Sequence, residues 1–445
     1  MFKKIELDNY RSFRHTEIDL SDSGKNPLPY AFIYGENGSG KSNLIESLMF
    51  LKDTIRTINT ANILKKLKDD IAASKKAPPY DISSMAESIR TVGSETGVSV
   101  SYHFVLKGHD GNYTMRFGSD NRLMYEKLSF TVESRTKDIF EILTSENNDG
   151  PHDGHGIEKK FSPQLFLKKD YRRTIEDLIN KYWGKHSFMS ILDEECSANN
   201  IRYMNESLGT GIMSVIDFFN DLVVNCRYGG GSVGAGIRDR ILARLSAGDI
   251  APEKGKHLQI YEAALNSFFT RIYSDVKKAY YRTELRDGRL YYTLFFSKMI
   301  GGKRREIGIS EESTGTLKLL ELFPAFFECA RGSTVFYDEL DTGIHDLLFK
   351  EMMSEIKGTF KGQFVATTHN TSLLEVIDPK SIFVIQTDAK GEKRILPISR
   401  IERTQKNHNN RNRYLNGVFS AVPIIGEIDF EDIVRRVQNE KGEEE

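Results

Sequence analysis

The stretch Gly35-Glu36-Asn37-Gly38-Ser39-Gly40-Lys41-Ser42 constrains this chain more than any other. It fits the pattern G-x-x-x-x-G-K-[ST], and its flanks fit as well. Residues 30–34 form a short apolar run that reads as a strand. From Asn43 to Ile55, the residues Leu44, Ile45, Leu48, Met49 and Leu51 recur at helical spacing. A strand, a glycine turn and a helix in that order make a cradle for phosphate. The glycines let backbone N–H groups converge on phosphate oxygens, and the helix N-terminus adds positive potential. Lys41 would reach the β- and γ-phosphates, and Ser42 would ligate Mg²⁺. Gly35 to Asn43 are therefore candidate nucleotide-binding residues, with ATP and Mg²⁺ as the implied cofactors. A chance glycine-rich turn is the alternative, and the complete pattern with both flanks argues against it. The glycines of 229–231, with Gly234 and Gly236, lack such flanks and read as a linker.

A second segment supplies acids. Ser333-Thr334-Val335-Phe336-Tyr337-Asp338-Glu339 is an apolar strand ending in two carboxylates. A strand of a parallel sheet delivers its C-terminal residues to the crevice where ligands bind. Asp338 would hold the Mg²⁺ shell, and Glu339 would orient or deprotonate the attacking water. An acidic pair after a strand is ambiguous alone; beside a phosphate loop it becomes specific. Two further pieces follow the same logic. Ser313-Thr314-Gly315-Thr316 precedes a helix, and a Ser and Gly at a helix start form an anion-binding edge. Thr367-Thr368-His369-Asn370 follows the apolar strand Phe364-Val365-Ala366, which places His369 to contact a γ-phosphate.

Together, in this order, these segments resemble the ABC-class ATPases. The resemblance implies a phosphate loop, a signature at Ser313 and Gly315, the Asp338-Glu339 strand, a D-loop at Leu340-Asp341 and a switch histidine at His369. It further implies that two subunits sandwich two ATPs, the signature of one completing the site built by Lys41 and Glu339 of the other. Catalytic roles would fall to Glu339, Lys41 and His369.

The gap between Lys41 and Ser313 is far longer than in transporter ATPase subunits. It contains no CxxC zinc hook and no long heptad array. The opening Ile5-x-Leu7-x-Asn9-Tyr10-Arg11-Ser12-Phe13 resembles RecF-like and OLD-like ATPases. Glu312-Ser313-Thr314-Gly315-Thr316-x-x-Leu319-Leu320, Asp338-Glu339-Leu340-Asp341-x-x-x-His345 and Arg413-Tyr414-Leu415-Asn416-Gly417-Val418-Phe419-Ser420-Ala421-Val422-Pro423 resemble the AAA-type, OLD-like branch. That branch includes the RloA-, AbiLi- and AriA-like ATPases of bacterial anti-phage and abortive-infection systems. The first Gln is Gln164, so no glutamine stands where the family's Q-loop would fall. Few residues follow His369, which leaves little room for the TOPRIM nuclease domain of OLD proteins. The resemblance thus implies a sensor or scaffold that gates a separate effector, such as a nuclease.

The expected architecture is α/β: an ABC-type head, with a mixed sheet and flanking helices, and a largely helical insertion. The N-terminal lobe would span 1–135, the insertion 136–278 and the C-terminal lobe 279–445. A soft loop is expected at 145–157 and a break at Pro78-Pro79.

Charge and cysteines narrow the function classes. Lys+Arg number 62 against 63 Asp+Glu in 445 residues, a net charge of −1, which excludes bulk polycation binding to nucleic acid. Local basic runs at 159–173 and 394–413 remain candidates for phosphate backbones or an acidic partner, against the plainer reading of solvated faces. Lys303-Arg304-Arg305 reads as an exposed turn. A RecF-like clamp on DNA is the alternative function. The cluster Asp193-Glu194-Glu195 is the one metal-like candidate in the middle, and it reads as a solvated helix face. Cys196, Cys226 and Cys329 are scattered and include no CxxC, which fits a reducing cytosol. No signal peptide or membrane-length apolar run is seen, so the expected location is cytoplasmic.

Overall fold

The structure, a computed structural model, describes residues 1–70, 80–132, 135–144, 156–209, 211–228, 231–402, 409–422 and 428–442. The Pro78-Pro79 break, most of the 145–157 loop, Gly229-Gly230, Arg403, Lys406, Pro423 and the tail Glu443-Glu444-Glu445 lie outside the described residues. Among the described residues, no helix is long and apolar enough to cross a membrane.

The functional loops hang from a mixed sheet. Its strand order is Gly231–Ala235, Val223–Tyr228, Thr334–Tyr337, Gln363–Thr367, Tyr30–Tyr34, Ile382–Thr387, Lys393–Pro397. The five strands from Val223–Tyr228 to Ile382–Thr387 run parallel, and the two outer pairs are antiparallel. Parallel strands are covered on both faces, so they read as unbroken apolar runs. Phe32, Ile33, Val335, Phe336, Phe364 and Val365 are accordingly all buried. Each such side chain contributes about 1.5–3 kcal/mol on leaving water.

A second, antiparallel sheet is ordered Ile157–Phe161, Arg135–Thr144, Leu123–Val132, His109–Phe117, Ser99–Leu106, Phe2–Tyr10, Phe13–Asp19. Phe2, Ile5, Leu7 and Tyr10 face its core side. Gln363 joins the two sheets. Its buried side chain accepts from Phe2 N at 2.7 Å and donates to Phe2 O at 2.9 Å and Leu28 O at 3.0 Å. Helices Lys169–Tyr182, Phe188–Ala198 and Ile212–Asn220 share the apolar core of this sheet.

Glu126 pins that helical layer to the sheet. Fully buried, it accepts from Phe188 N at 2.6 Å, Met189 N at 3.0 Å and Tyr113 Oη at 2.8 Å. The carboxylate thus caps the start of helix Phe188–Ala198 from a neighbouring strand. Burial pushes its pKa up to about 7, against the pull of those three donors.

A third sheet comprises Ala247–Ile250, Arg289–Ile300, Val276–Arg286 and Lys303–Gly308. Helix Gly255–Ile272 packs against it through Leu265 and Phe269. Lys303-Arg304-Arg305 open its last strand, after a turn at Gly301-Gly302, and do not form the turn themselves.

The region 136–278 holds helices Lys169–Tyr182, Phe188–Ala198, Ile201–Ser207, Ile212–Asn220 and Gly255–Ile272, and it also sends strands into the sheets. Residues 135–144 and 157–161 extend the antiparallel sheet. Val223–Tyr228 is a strand of the mixed sheet beside Thr334–Tyr337, and Gly231–Ala235 folds back along it. Gly231 and Gly234, read as part of a linker, are residues of that returning strand. A short buried strand after an amphipathic helix has no periodicity of its own to reveal it.

Candidate functional site

The phosphate loop leaves strand Tyr30–Tyr34 and enters helix Lys41–Ile55. Gly38 and Gly40 adopt φ of 78° and 106°, where a side chain is strained. Gly40 has a second constraint. A Cβ there would lie 2.6 Å from Phe13 Cζ and 3.0 Å from Ser12 Oγ. The turn after the first strand is thus packed directly under the loop. Asn43 Nδ2 donates to Ser12 Oγ at 2.7 Å and ties the helix to the same turn. Lys41 curls back to donate to Gly35 O and Glu36 O, both at 2.9 Å. Burial lowers its pKa, while Asp338, Glu339 and Asp341 are near enough to oppose the shift. The Ser39 hydroxyl is buried without a hydrogen-bond partner.

The acids come from the end of strand Thr334–Tyr337. Asp338 N donates to Asn225 O at 2.9 Å across the sheet. Thr367 then organises the pair. Its hydroxyl donates to Asp338 Oδ1 at 2.6 Å and accepts from Glu339 N at 2.7 Å. Asp338 Oδ2 is buried and has no hydrogen-bond partner. Ser42 and Asp338 offer the hard oxygen donors that Mg²⁺ takes, and the unpartnered Oδ2 suits such a ligand. Glu339 has φ 49°, a left-handed conformation that costs a β-carbon residue about 1–3 kcal/mol. Leu340 N, donating to Thr367 O at 3.0 Å, helps to hold that turn. Thr342 Oγ1 donates to Glu339 Oε2 at 3.2 Å.

The segment after strand Gln363–Thr367 closes the third side. Thr368 Oγ1 and His369 N both donate to Asp341 Oδ1, at 2.7 and 3.3 Å. The His369 ring is exposed. Partial desolvation lowers its pKa first, and the Lys41 ammonium lowers it further, with Asp341, Glu339 and Asp338 opposing. Lys41, Asp338, Glu339, Asp341 and His369 therefore share one electrostatic neighbourhood. His345 plays a different part. It caps helix Asp346–Ile356, its Nδ1 accepting from Leu347 N at 3.3 Å.

Ser313 and Gly315, expected as a signature, stand apart from this group. Ser313 caps helix Thr314–Arg331 by accepting from Thr316 N at 3.2 Å. A Cβ on Gly315 would meet Gly343 O at 3.2 Å, so the helix start abuts the segment after the D-loop. Among the described residues, neither joins the hydrogen-bond network around Lys41 and Asp338.

No motif singles out Thr367 as the organiser, although the Thr367-Thr368 pair before His369 is its visible trace. Lys393 Nζ, which donates to Gly38 O at 2.8 Å from the last strand of the sheet, has no sequence signal. Several described side chains of the basic runs are paired. Lys160, Lys168, Arg172 and Arg173 meet Glu141, Glu206, Glu176 and Asp170. Arg400, Arg411 and Arg413 meet Asp19, Glu375 and Glu402. Asp193 accepts from Asn220 Nδ2 at 2.6 Å, and among the described residues no group of three His, Cys, Asp or Glu could hold a metal.

Residues 31–375 match the family model described as "AAA domain, putative AbiEii toxin, Type IV TA system". No curated protein matches the chain. Similar solved structures include an SMC head bound to the C-winged helix domain of ScpA, at 16% identity and TM-score 0.44, covering 89% of this chain and 96% of that one. The SMC head domain from Thermotoga maritima gives 16% identity and TM-score 0.37, covering 89% and 98%. An Smc head with an extended coiled coil, bound to the C-terminal domain of ScpA derived from Pyrococcus furiosus, gives 16% and 0.38, covering 89% and 95%. The family match spans the phosphate loop, the acidic strand and His369, and this chain belongs to that family of AAA-type P-loop ATPase domains.

Proposed function

We propose that this protein is an ATP-driven switch of a bacterial anti-phage, abortive-infection type, OLD-like in its sequence motifs, which gates a separate effector such as a nuclease. The observation that carries the reading is the split site. Lys41, Asp338, Glu339 and His369 gather around one loop, while Ser313 and Gly315 sit at a different helix start. One chain then holds most of a nucleotide site and offers the missing edge to a second copy. Gly35 to Asn43 cradle the phosphates, and Lys41 releases its two carbonyls to reach them. Bound Mg²⁺, held by Ser42 and Asp338, would neutralise developing charge on the phosphates. Glu339 orients the attacking water, and His369 faces the γ-phosphate. ATP thus draws two heads together head to tail, and turnover lets them part. A switch needs differential affinity between its states, not flux.

The family description names a toxin–antitoxin system, a two-component arrangement that supports a separate partner. Seven of the described basic side chains in the two runs are held in ion pairs, which favours solvated faces over a phosphate-backbone clamp on DNA. The test is affinity capture of the Glu339→Gln protein from its native host, with ATP and Mg²⁺. The proposal expects a stoichiometric protein that wild type releases as ATP is consumed. Recovery of DNA with no protein partner would replace it with the RecF-like clamp.

A further inference from the structure

We propose that the short helix Asn410–Leu415 is a positioning element of the nucleotide site, in which Arg411 and Tyr414 set the switch segment against the phosphate loop. The inference rests on the reading of His369 as the switch residue. The helix lies far along the chain from both loops it touches.

Arg411 staples one turn. Its Nε donates to Thr371 Oγ1 at 3.3 Å, and its terminal nitrogen donates to Glu375 Oε1 at 3.2 Å. Thr371 and Glu375 are the first and last residues of the 3₁₀ turn that follows His369 and Asn370. Lys350 Nζ holds the other oxygen of Glu375 at 2.7 Å. The segment is also fixed at its start. Asn370 Oδ1 accepts from Ser372 N at 2.8 Å, and Asn370 Nδ2 donates to Asp346 O at 3.3 Å. Tyr34, the residue before Gly35, donates its hydroxyl to Asn370 O at 2.9 Å. Tyr414 packs on the Tyr34 ring at 5.5 Å between centroids and donates to Ala421 O at 3.2 Å. One helix therefore touches the residue that launches the phosphate loop and the turn that carries the histidine. A displacement of about 1 Å at reacting groups can cost roughly a hundredfold in rate. A staple of this kind acts through His369 and leaves the phosphate cradle alone.

The test is steady-state ATP turnover by the full chain for Arg411→Ala, Arg411→Lys, His369→Ala and the double variant Arg411→Ala with His369→Ala. Arg172→Ala, in a remote ion pair with Glu176, is the control. We expect Arg411→Ala to lower kcat by about tenfold or more with KM for ATP and the unfolding midpoint unchanged. Arg411→Lys, which keeps the charge without the rigid guanidinium fork, should recover part of the loss. The double variant should be no slower than His369→Ala alone, because both act on one group. Glu375→Gln, approached from the acceptor side, should repeat the kcat effect if Arg411→Ala folds poorly. Wild-type kcat in Arg411→Ala beside a slow His369→Ala overturns the inference. So do losses that multiply in the double variant, or a kcat loss that tracks a lowered unfolding midpoint. Wild-type turnover in His369→Ala overturns the reading of the histidine itself, and this inference with it.

Discussion

Thr367→Val isolates one hydroxyl that serves both acids. Thr367 Oγ1 donates to Asp338 Oδ1 at 2.6 Å and accepts from Glu339 N at 2.7 Å. Valine keeps the shape of the side chain and removes both bonds. A hydrogen bond to a charged acceptor is worth about 1.5–3 kcal/mol, and the half-buried Glu339 N–H left unpaired adds about 1 kcal/mol, the low end for a buried donor. Asp338 Oδ2 is already buried without a hydrogen-bond partner, so the carboxylate cannot shift its burden to the other oxygen. Relaxation will recover part of the sum, which leaves an expected destabilisation of about 3 kcal/mol. The left-handed turn at Glu339 also loses a restraint, so kcat should fall by about tenfold or more. Urea unfolding, read as a midpoint shift at constant m, measures the first effect, and steady-state phosphate release measures the second. Thr367→Ser keeps the hydroxyl and should lose about 1 kcal/mol or less. A Thr367→Val protein with wild-type midpoint and turnover would refute the assignment of Thr367 as organiser of the acids.

Gly40→Ala places a methyl 2.6 Å from Phe13 Cζ at a φ of 106°, so ATP binding should weaken by about tenfold or more, and wild-type affinity by calorimetry would contradict the packing described. Lys41→Ala should lose nucleotide binding, whereas Glu339→Gln should bind ATP, turn over slowly and accumulate a dimer detectable by light scattering. Hydrolysis unaffected in Glu339→Gln removes that residue as the group acting on water. Glu126, with a folded pKa raised to about 7 from 4.5, stabilises fully below the unfolded value and loses that contribution as pH rises through 7. Stability should therefore drop by on the order of 3 kcal/mol between pH 5 and 8 from this group, and Glu126→Gln should flatten that slope in urea titrations at each pH.

The parts legible in the sequence are those where backbone chemistry dictates residue type. Gly38 and Gly40 take positive φ values that favour glycine, and Gly40 also has no room for a Cβ, so the phosphate loop announces itself. Val335, Phe336, Phe364 and Val365 read as buried strands because parallel strands hide both faces. The opposite case is Val223–Tyr228, six residues just after a helix, whose place in the mixed sheet depends on pairing with residues over a hundred positions away. Basic side chains show the same limit. Arg400 and Arg411 belong to a basic run in sequence, yet their acids, Asp19 and Glu375, arrive from other elements. Thr367 and Lys393 act through hydroxyl and ammonium contacts that only the folded sheet brings together.

The central claim is that each complete ATP site draws on two copies of this chain. Mixing two inactive variants tests it most directly. Lys41→Ala spoils the phosphate loop and keeps the signature, while Ser313→Arg spoils the signature and keeps the loop. A mixed dimer rebuilds one good site out of two, and random pairing makes half the dimers mixed. The account predicts recovery of up to roughly a quarter of wild-type turnover in the equimolar mixture. A mixture as inactive as its two components, under conditions where wild-type dimers exchange subunits, would contradict it.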